Sequence, residues 1–163
     1  MNDHVVDTNV LLVASAAHPY SPFGDTHLPA KEQRVVFEWL ATFRAAAGRR
    51  IVLDREWKIM SEYKNKLTEQ DYGLQVAIEK MSTGHWVTLE WDRNGHAVVP
   101  SSFAGFDPSD RKLLAAALTD PSSINIVNAA DSDWLDVEPQ LKAAGVTVEH
   151  LVGDWLRRSH GER

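Results

Sequence analysis

The chain has 163 residues, no cysteine and a formal net charge of −6. That length suits one domain, 1–163, around a single core. The missing cysteine excludes disulfides and thiolate metal sites and fits a reducing cytoplasm.

Hydrophobic residues at 44% and charged residues at 25% are ordinary for a soluble domain. The N-terminus lacks the basic segment and apolar run of a signal peptide. No apolar stretch is long enough to span a bilayer. The acidic balance is unlike that of a simple nucleic-acid binder, which is usually basic. It fits either a generic acidic protein or one whose acids are committed to a metal, since a bound cation reverses the local sign. The six tryptophans read as core or interface residues rather than a cofactor box.

The first element is an apolar strand ending near Asp7, and Val10–Val13 then turns into a short helix. Residues 15–30, with three prolines and Gly24, read as a loop. Residues 31–47 place Val35, Val36, Trp39, Leu40 and Phe43 at helical spacing, with Gly48 as a stop. Ile51–Leu53 is a short strand. A helix over about 55–66 follows, then another over about 69–81 with Thr68 as N-cap.

Residues 86–99 read as a hairpin about Asn94-Gly95. Asp107-Pro108 opens a helix running to Leu118, with the aspartate as N-cap and the proline at the first helical position. Ile124–Val127 is the next strand. A helix over 135–144 closed by Gly145, a strand at Val146–Val148 and a tail helix near Asp154–Arg158 complete the chain. This alternation predicts an α/β fold, a mostly parallel central sheet with helices on both faces. Ligands in such sheets bind beyond the carboxyl ends of the strands.

Acids gather at those ends. Asp7 follows the first strand, Asp131 and Asp133 follow Ile124–Val127, Glu62 lies in the helix after Ile51–Leu53, and Asp110 opens a helix. Hard divalent cations prefer such carboxylate oxygens. Hydrolysis of a phosphodiester needs an activated water and a stabilised leaving oxygen, which one or two metals supply. Each acid alone has another use: Asp7 as a turn cap, Asp110 as a favourable charge at a helix start, Asp131 and Asp133 as caps, Glu62 as a solvated helix residue. Their arrival from four segments at one edge favours a shared site.

The run Val5-Val6-Asp7-Thr8-Asn9-Val10-Leu11-Leu12 resembles the first motif of the PIN-domain nucleases. Ile59-Met60-Ser61-Glu62-Tyr63 resembles the second, a helical glutamate, with Glu56 as the alternative. Asp110 and the alanine-rich helix after it resemble the third, with Asp107 as the alternative. Ile126–Trp134, an apolar strand leading into Asp131-Ser132-Asp133, resembles the fourth. The four motifs span residues 5–134 in the expected order.

The resemblance implies a PIN-like fold and a Mg2+ or Mn2+ site acting on RNA. Asp7, Glu62, Asp110 and Asp131 would be the catalytic, metal-holding acids, Asp133 a further metal ligand, and Thr8 and Asn9 supports for Asp7 or the metal waters. Read from the residues themselves, Arg111 and Lys112 are either a solvated helix end or RNA phosphate contacts on the cleft rim. Small stand-alone members are frequently toxins of type II toxin–antitoxin pairs, which implies an antitoxin partner and a homodimer. Residues 15–30 and 86–99 depart from compact members and read as insertions. Asn128-Ala129-Ala130 stands where a Thr or Ser is common.

Two other classes compete. One is a non-catalytic PIN-like module binding RNA or protein, which the intact acids disfavour. The other is a haloacid-dehalogenase-type phosphatase, whose opening motif needs a second aspartate where this chain has Asn9. No phosphate-binding glycine loop, paired-histidine metal motif or Gly-x-Ser-x-Gly setting occurs.

Overall fold

A computed structural model describes residues 3–22, 26–90 and 99–161. Five strands form one all-parallel sheet: β1 (Asp3–Val6), β2 (Arg50–Asp54), β3 (Trp86–Leu89), β4 (Ile124–Asn128) and β5 (Thr147–His150), in the order β3-β2-β1-β4-β5. The expected α/β architecture is therefore present. Strands β1 and β4 are buried along their whole length, so the polar side chains they carry, Asp3, His4, Asn125 and Asn128, are buried with the apolar ones.

The helices are α1 (Thr8–Ala17), α2 (Ala30–Ala45), α3 (Lys58–Lys66), α4 (Tyr72–Ser82), α5 (Arg111–Leu118), α6 (Asp133–Asp136), α7 (Glu138–Ala143) and α8 (Gly153–Gly161). Helices α1, α2 and α4 pack on one another, while α5 packs against β1, β2 and β4. Right-handed crossovers, the rule for parallel strands, put these two groups on opposite faces. Helices α1 and α4 approach closely at Gly73. A Cβ there would lie 2.7 Å from the Leu11 Cβ and nearer still to the Leu11 carbonyl oxygen, so only glycine fits. Ser15 ties the pair by accepting from the Gly73 N–H and donating to the Leu11 carbonyl.

The chain winds outward from β1 in one direction through β2 and β3, and from β4 in the other through β5. The crevice between the carboxyl ends of β1 and β4 is the switch point where such sheets place ligands.

Several boundaries differ from the sequence expectations. Helix α1 continues to Ala17, so the loop is shorter than 15–30 at its start. Helix α3 begins at Lys58, because buried Asp54 accepts from the Lys58 and Ile59 N–H groups and fixes the start there. Asp71, not Thr68, stands at the N-cap of α4; Thr68 donates to it through both its N–H and its hydroxyl. The helix expected over 135–144 is two short ones, since Pro139 has no N–H to continue the ladder. Gly145, at φ 74°, ends the second as expected. The first arm of the hairpin at 86–99 is an edge strand of the main sheet, parallel to β2. Its turn at Asn94-Gly95 and most of its second arm lie outside the described residues. Among the described residues no helix is long and apolar enough to cross a membrane.

Candidate metal centre

Asp7 leaves β1 at the switch point and caps α1. Its Oδ1 accepts from the Asn9 N–H, which ends the strand and starts the helix within one residue. Its Oδ2 accepts from the indole N–H of fully buried Trp134 at 2.7 Å. Burial pushes the Asp7 carboxyl up to about 7. The charges of Asp131 and Glu62 push in the same direction, against the two hydrogen bonds that favour the ion.

Asp110 ends the 3-10 turn Pro108–Asp110 and immediately precedes α5. Its side chain makes no capping hydrogen bond. Capping falls to exposed Asp107, which accepts from the Ser109 N–H and hydroxyl, and these bonds hold its carboxyl below the ordinary range. Asp110 is instead buried and aimed at the other acids. Burial raises its pKa well above the usual carboxylate value, and the neighbouring Asp7 and Asp131 raise it further.

Asp131 arrives from β4. One of its oxygens accepts from the Asp133 N–H, so the capping reading holds for that atom. Oxygens of Asp7, Asp110 and Asp131 lie within 4.8 Å of one another. Asp107, Asp110 and Asp133 form a second group at the same spacing, with Asp110 common to both. The Asp133 carboxyl is raised by burial and then by Asp131 and Asp107.

Three of the four acids expected to be catalytic thus converge, and Asp133, the further metal ligand expected, lies in the second group. Glu62 stands at their edge, its oxygens taken by the Thr8 hydroxyl and, at 2.7 Å, the Lys112 ammonium. Thr8 therefore orients Glu62 rather than Asp7. Glu56 is exposed before α3, which favours Glu62 of that pair. Lys112 also donates to the Ser109 carbonyl, and Arg111 donates to the Ala104 carbonyl.

The Asn9 N–H is capped by Asp7, and the Asn9 side chain reaches further. Its Oδ1 accepts from the N–H groups of Ala129 and Ala130, at 2.9 and 2.8 Å, and its amide donates to Asn128 Oδ1. Asn128 in turn grips both backbone groups of Asp131, accepting from its N–H and donating to its carbonyl. The Asn128-Ala129-Ala130 departure therefore has a local function: a carboxamide pair locks the turn that carries Asp131. Sequence reasoning missed Asn128 and the hydrogen bond of Trp134. The visible signal was a polar residue closing a buried apolar strand.

The donor set fits a hard divalent cation. It is all oxygen, it is drawn from three segments, and no ammonium or guanidinium is paired with the Asp7–Asp110–Asp131 group among the described residues. Comparison of the chain with models of known protein families, with curated proteins and with solved structures finds no match.

Proposed function

We propose that this protein is a divalent-metal-dependent endoribonuclease of the PIN type, using Mg2+ or Mn2+. The observation that carries the reading is the convergence of Asp7, Asp110 and Asp131 within 4.8 Å at the switch point of a parallel sheet. A bound cation would supply an activated water and stabilise the leaving oxygen of a phosphodiester.

The protein's part is to hold and orient. Asp7, Asp110 and Asp131 provide oxygens for the cation, and Asp133 a further one beside Asp107. Trp134 and the Asn9 N–H fix the two oxygens of Asp7. Asn128 fixes the backbone of Asp131. Thr8 and Lys112 hold Glu62 at the border of the acids, where its charge acts on Asp7.

A phosphatase of the haloacid-dehalogenase type is disfavoured by the same geometry. Asn9, where that chemistry needs its second aspartate, is a clamp on Ala129 and Ala130.

The test is cleavage of single-stranded RNA by the purified chain with magnesium, with manganese and with chelator. The reading expects metal-dependent cleavage that falls to background in Asp7→Asn while the fold is kept, since the amide has the shape of the acid but lacks its charge. Near-normal cleavage by Asp7→Asn, or cleavage unaffected by chelator, sinks it. The finer assignment, a toxin of a type II pair acting as a homodimer, rests on the motif resemblance. A neighbouring gene for a small DNA-binding protein with a disordered tail would support the first part, and light scattering checks the second.

A further inference from the structure

A groove of about 510 Å³ lies between α3 and α5, outside the acid cluster but opening beside it. One wall is a single face of α3, where Lys58, Ser61, Asn65 and Lys66 recur at the spacing of successive helical turns. Ser109 and Lys112 form the other wall, and Glu62 belongs to both groove and acid cluster. On a chain of net charge −6, three lysines along one groove are a local reversal of sign. Lys112 is matched by Glu62; Lys66 is exposed at the far end.

Trp57 does not line the groove itself but directly precedes Lys58, which does, at the start of α3. It is 42% exposed, and its ring stacks on Trp86 of β3, with centroids 5.7 Å apart and planes 28° from parallel. Its backbone has φ 60° and ψ 24°, and it is the only non-glycine with positive φ among the described residues. Left-handed backbone is an outlier for a bulky side chain, and such outliers cluster where function requires a particular placement. Helix entry alone would be served better by glycine or asparagine. Keeping tryptophan there holds a flat apolar ring at the surface, next to a row of ammonium and hydroxyl groups.

We propose that this groove is the track for a single-stranded polynucleotide, with Lys58 and Lys66 contacting its phosphates and Trp57 stacking one unpaired base, so that the strand is led past Glu62 to the acids. The combination is that of single-strand binding surfaces, in which basic residues follow the backbone and aromatic rings receive bases without reading sequence. The proposal rests on the nuclease reading and adds to it the path of the strand across the surface.

The experiment measures binding of a fluorescein-labelled single-stranded oligoribonucleotide to the full chain by anisotropy, in an Asp7→Asn background so that the probe survives. Trp57→Gly removes the ring and suits the backbone; a thermal melt confirms that it folds. It is expected to weaken binding by about 5- to 100-fold, the range for one lost stacking contact, and Trp57→Phe to restore most of it. Lys66→Ala is expected to reduce the slope of log affinity against log salt by about 0.7, the share of one single-strand phosphate. An unlabelled duplex should compete poorly, its bases being already stacked. A single-stranded oligodeoxyribonucleotide that competes equally places RNA selectivity elsewhere and supports a track reading only phosphate and base stacking. If the parent binds and both variants bind like it, or the duplex competes as well as the single strand, the track is overturned while the nuclease reading stands. If the parent shows neither binding nor, with Asp7 intact, cleavage, both are overturned.

Discussion

The indole N–H of Trp134 donates to Asp7 Oδ2 across 2.7 Å, joining residues 127 positions apart. Asp7 is thereby fixed in rotation, with one oxygen held by the indole and the other by the Asn9 N–H. Trp134 is itself held by packing against Phe106, at 4.9 Å between ring centroids. Groups that orient a metal-holding side chain are typically worth about 10–100-fold in metal affinity or activity. Trp134→Phe keeps the apolar bulk and deletes the donor. Its metal-dependent cleavage is expected to fall by about that factor, read from initial rates across a magnesium titration. A variant with unchanged metal dependence would make Trp134 a core residue only.

Without metal, the acids should make stability fall as pH rises. Asp7 titrates near 7 and Asp110 is raised as well, both from an ordinary value of 3.8. Between those limits the folded state binds more protons than the unfolded one. The penalty is therefore absent below the unfolded value and complete only above the folded ones. A tenfold difference in proton affinity between the folded and unfolded chain is worth about 1.4 kcal/mol. Thermal melts in chelator from pH 4 to pH 8 are expected to show a declining Tm attributable to this site, and Asp110→Asn should flatten part of the decline.

The same variant separates two uses of Asp110. As one of several crowded acids, its replacement by asparagine should raise Tm in chelator at pH 8 by several degrees, at about 2–4 °C per kcal/mol for a domain of this size. The difference should close toward pH 4. As a favourable charge at the start of α5, its loss should instead cost about 0.3–1 kcal/mol. A lower Tm for Asp110→Asn at pH 8 would assign it to the helix.

Magnesium should reverse the alkaline loss in the wild type, because a ligand bound only by the folded state adds stability by mass action. Binding requires deprotonated carboxylates, so apparent affinity should rise with pH through the range in which Asp7 ionises. Calorimetric titrations at pH 6 and pH 8 check this. Equal affinity at both would remove Asp7 from the ligand set.

Asn9 should be irreplaceable for a reason unconnected with charge. Asn9→Ala leaves the Ala129 and Ala130 N–H groups without their acceptor, at a cost of about 1–3 kcal/mol for each that stays dry. Asn9→Asp keeps the acceptor but loses the donor to Asn128 and adds a charge beside Asp7. Both variants are expected to melt lower than the wild type in chelator, and magnesium should recover more of the loss in Asn9→Asp. Wild-type melting by Asn9→Ala would show that the clamp is dispensable.

The sequence by itself determined the α/β order of elements, because buried parallel strands are rich in β-branched apolar residues and the helices between them are amphipathic. It also marked Asp7, Asp110 and Asp131 as strand-end or helix-start acids. The tertiary structure decided which of the acids meet. Glu62 and Asp110 each had another use when read alone; in the fold Glu62 is held by Thr8 and Lys112 while Asp110 is buried against Asp7 and Asp131. Trp134 looked like any core tryptophan until β4 was laid beside β1, which brings its N–H to Asp7. Asn128 was legible only as a departure from a motif; its two-sided grip on Asp131 depends on Asn9 arriving from the neighbouring strand end. Periodicity is a local property that burial imposes on each segment. Hydrogen-bond partnership across more than a hundred residues depends on strand order and register, which local pattern does not encode.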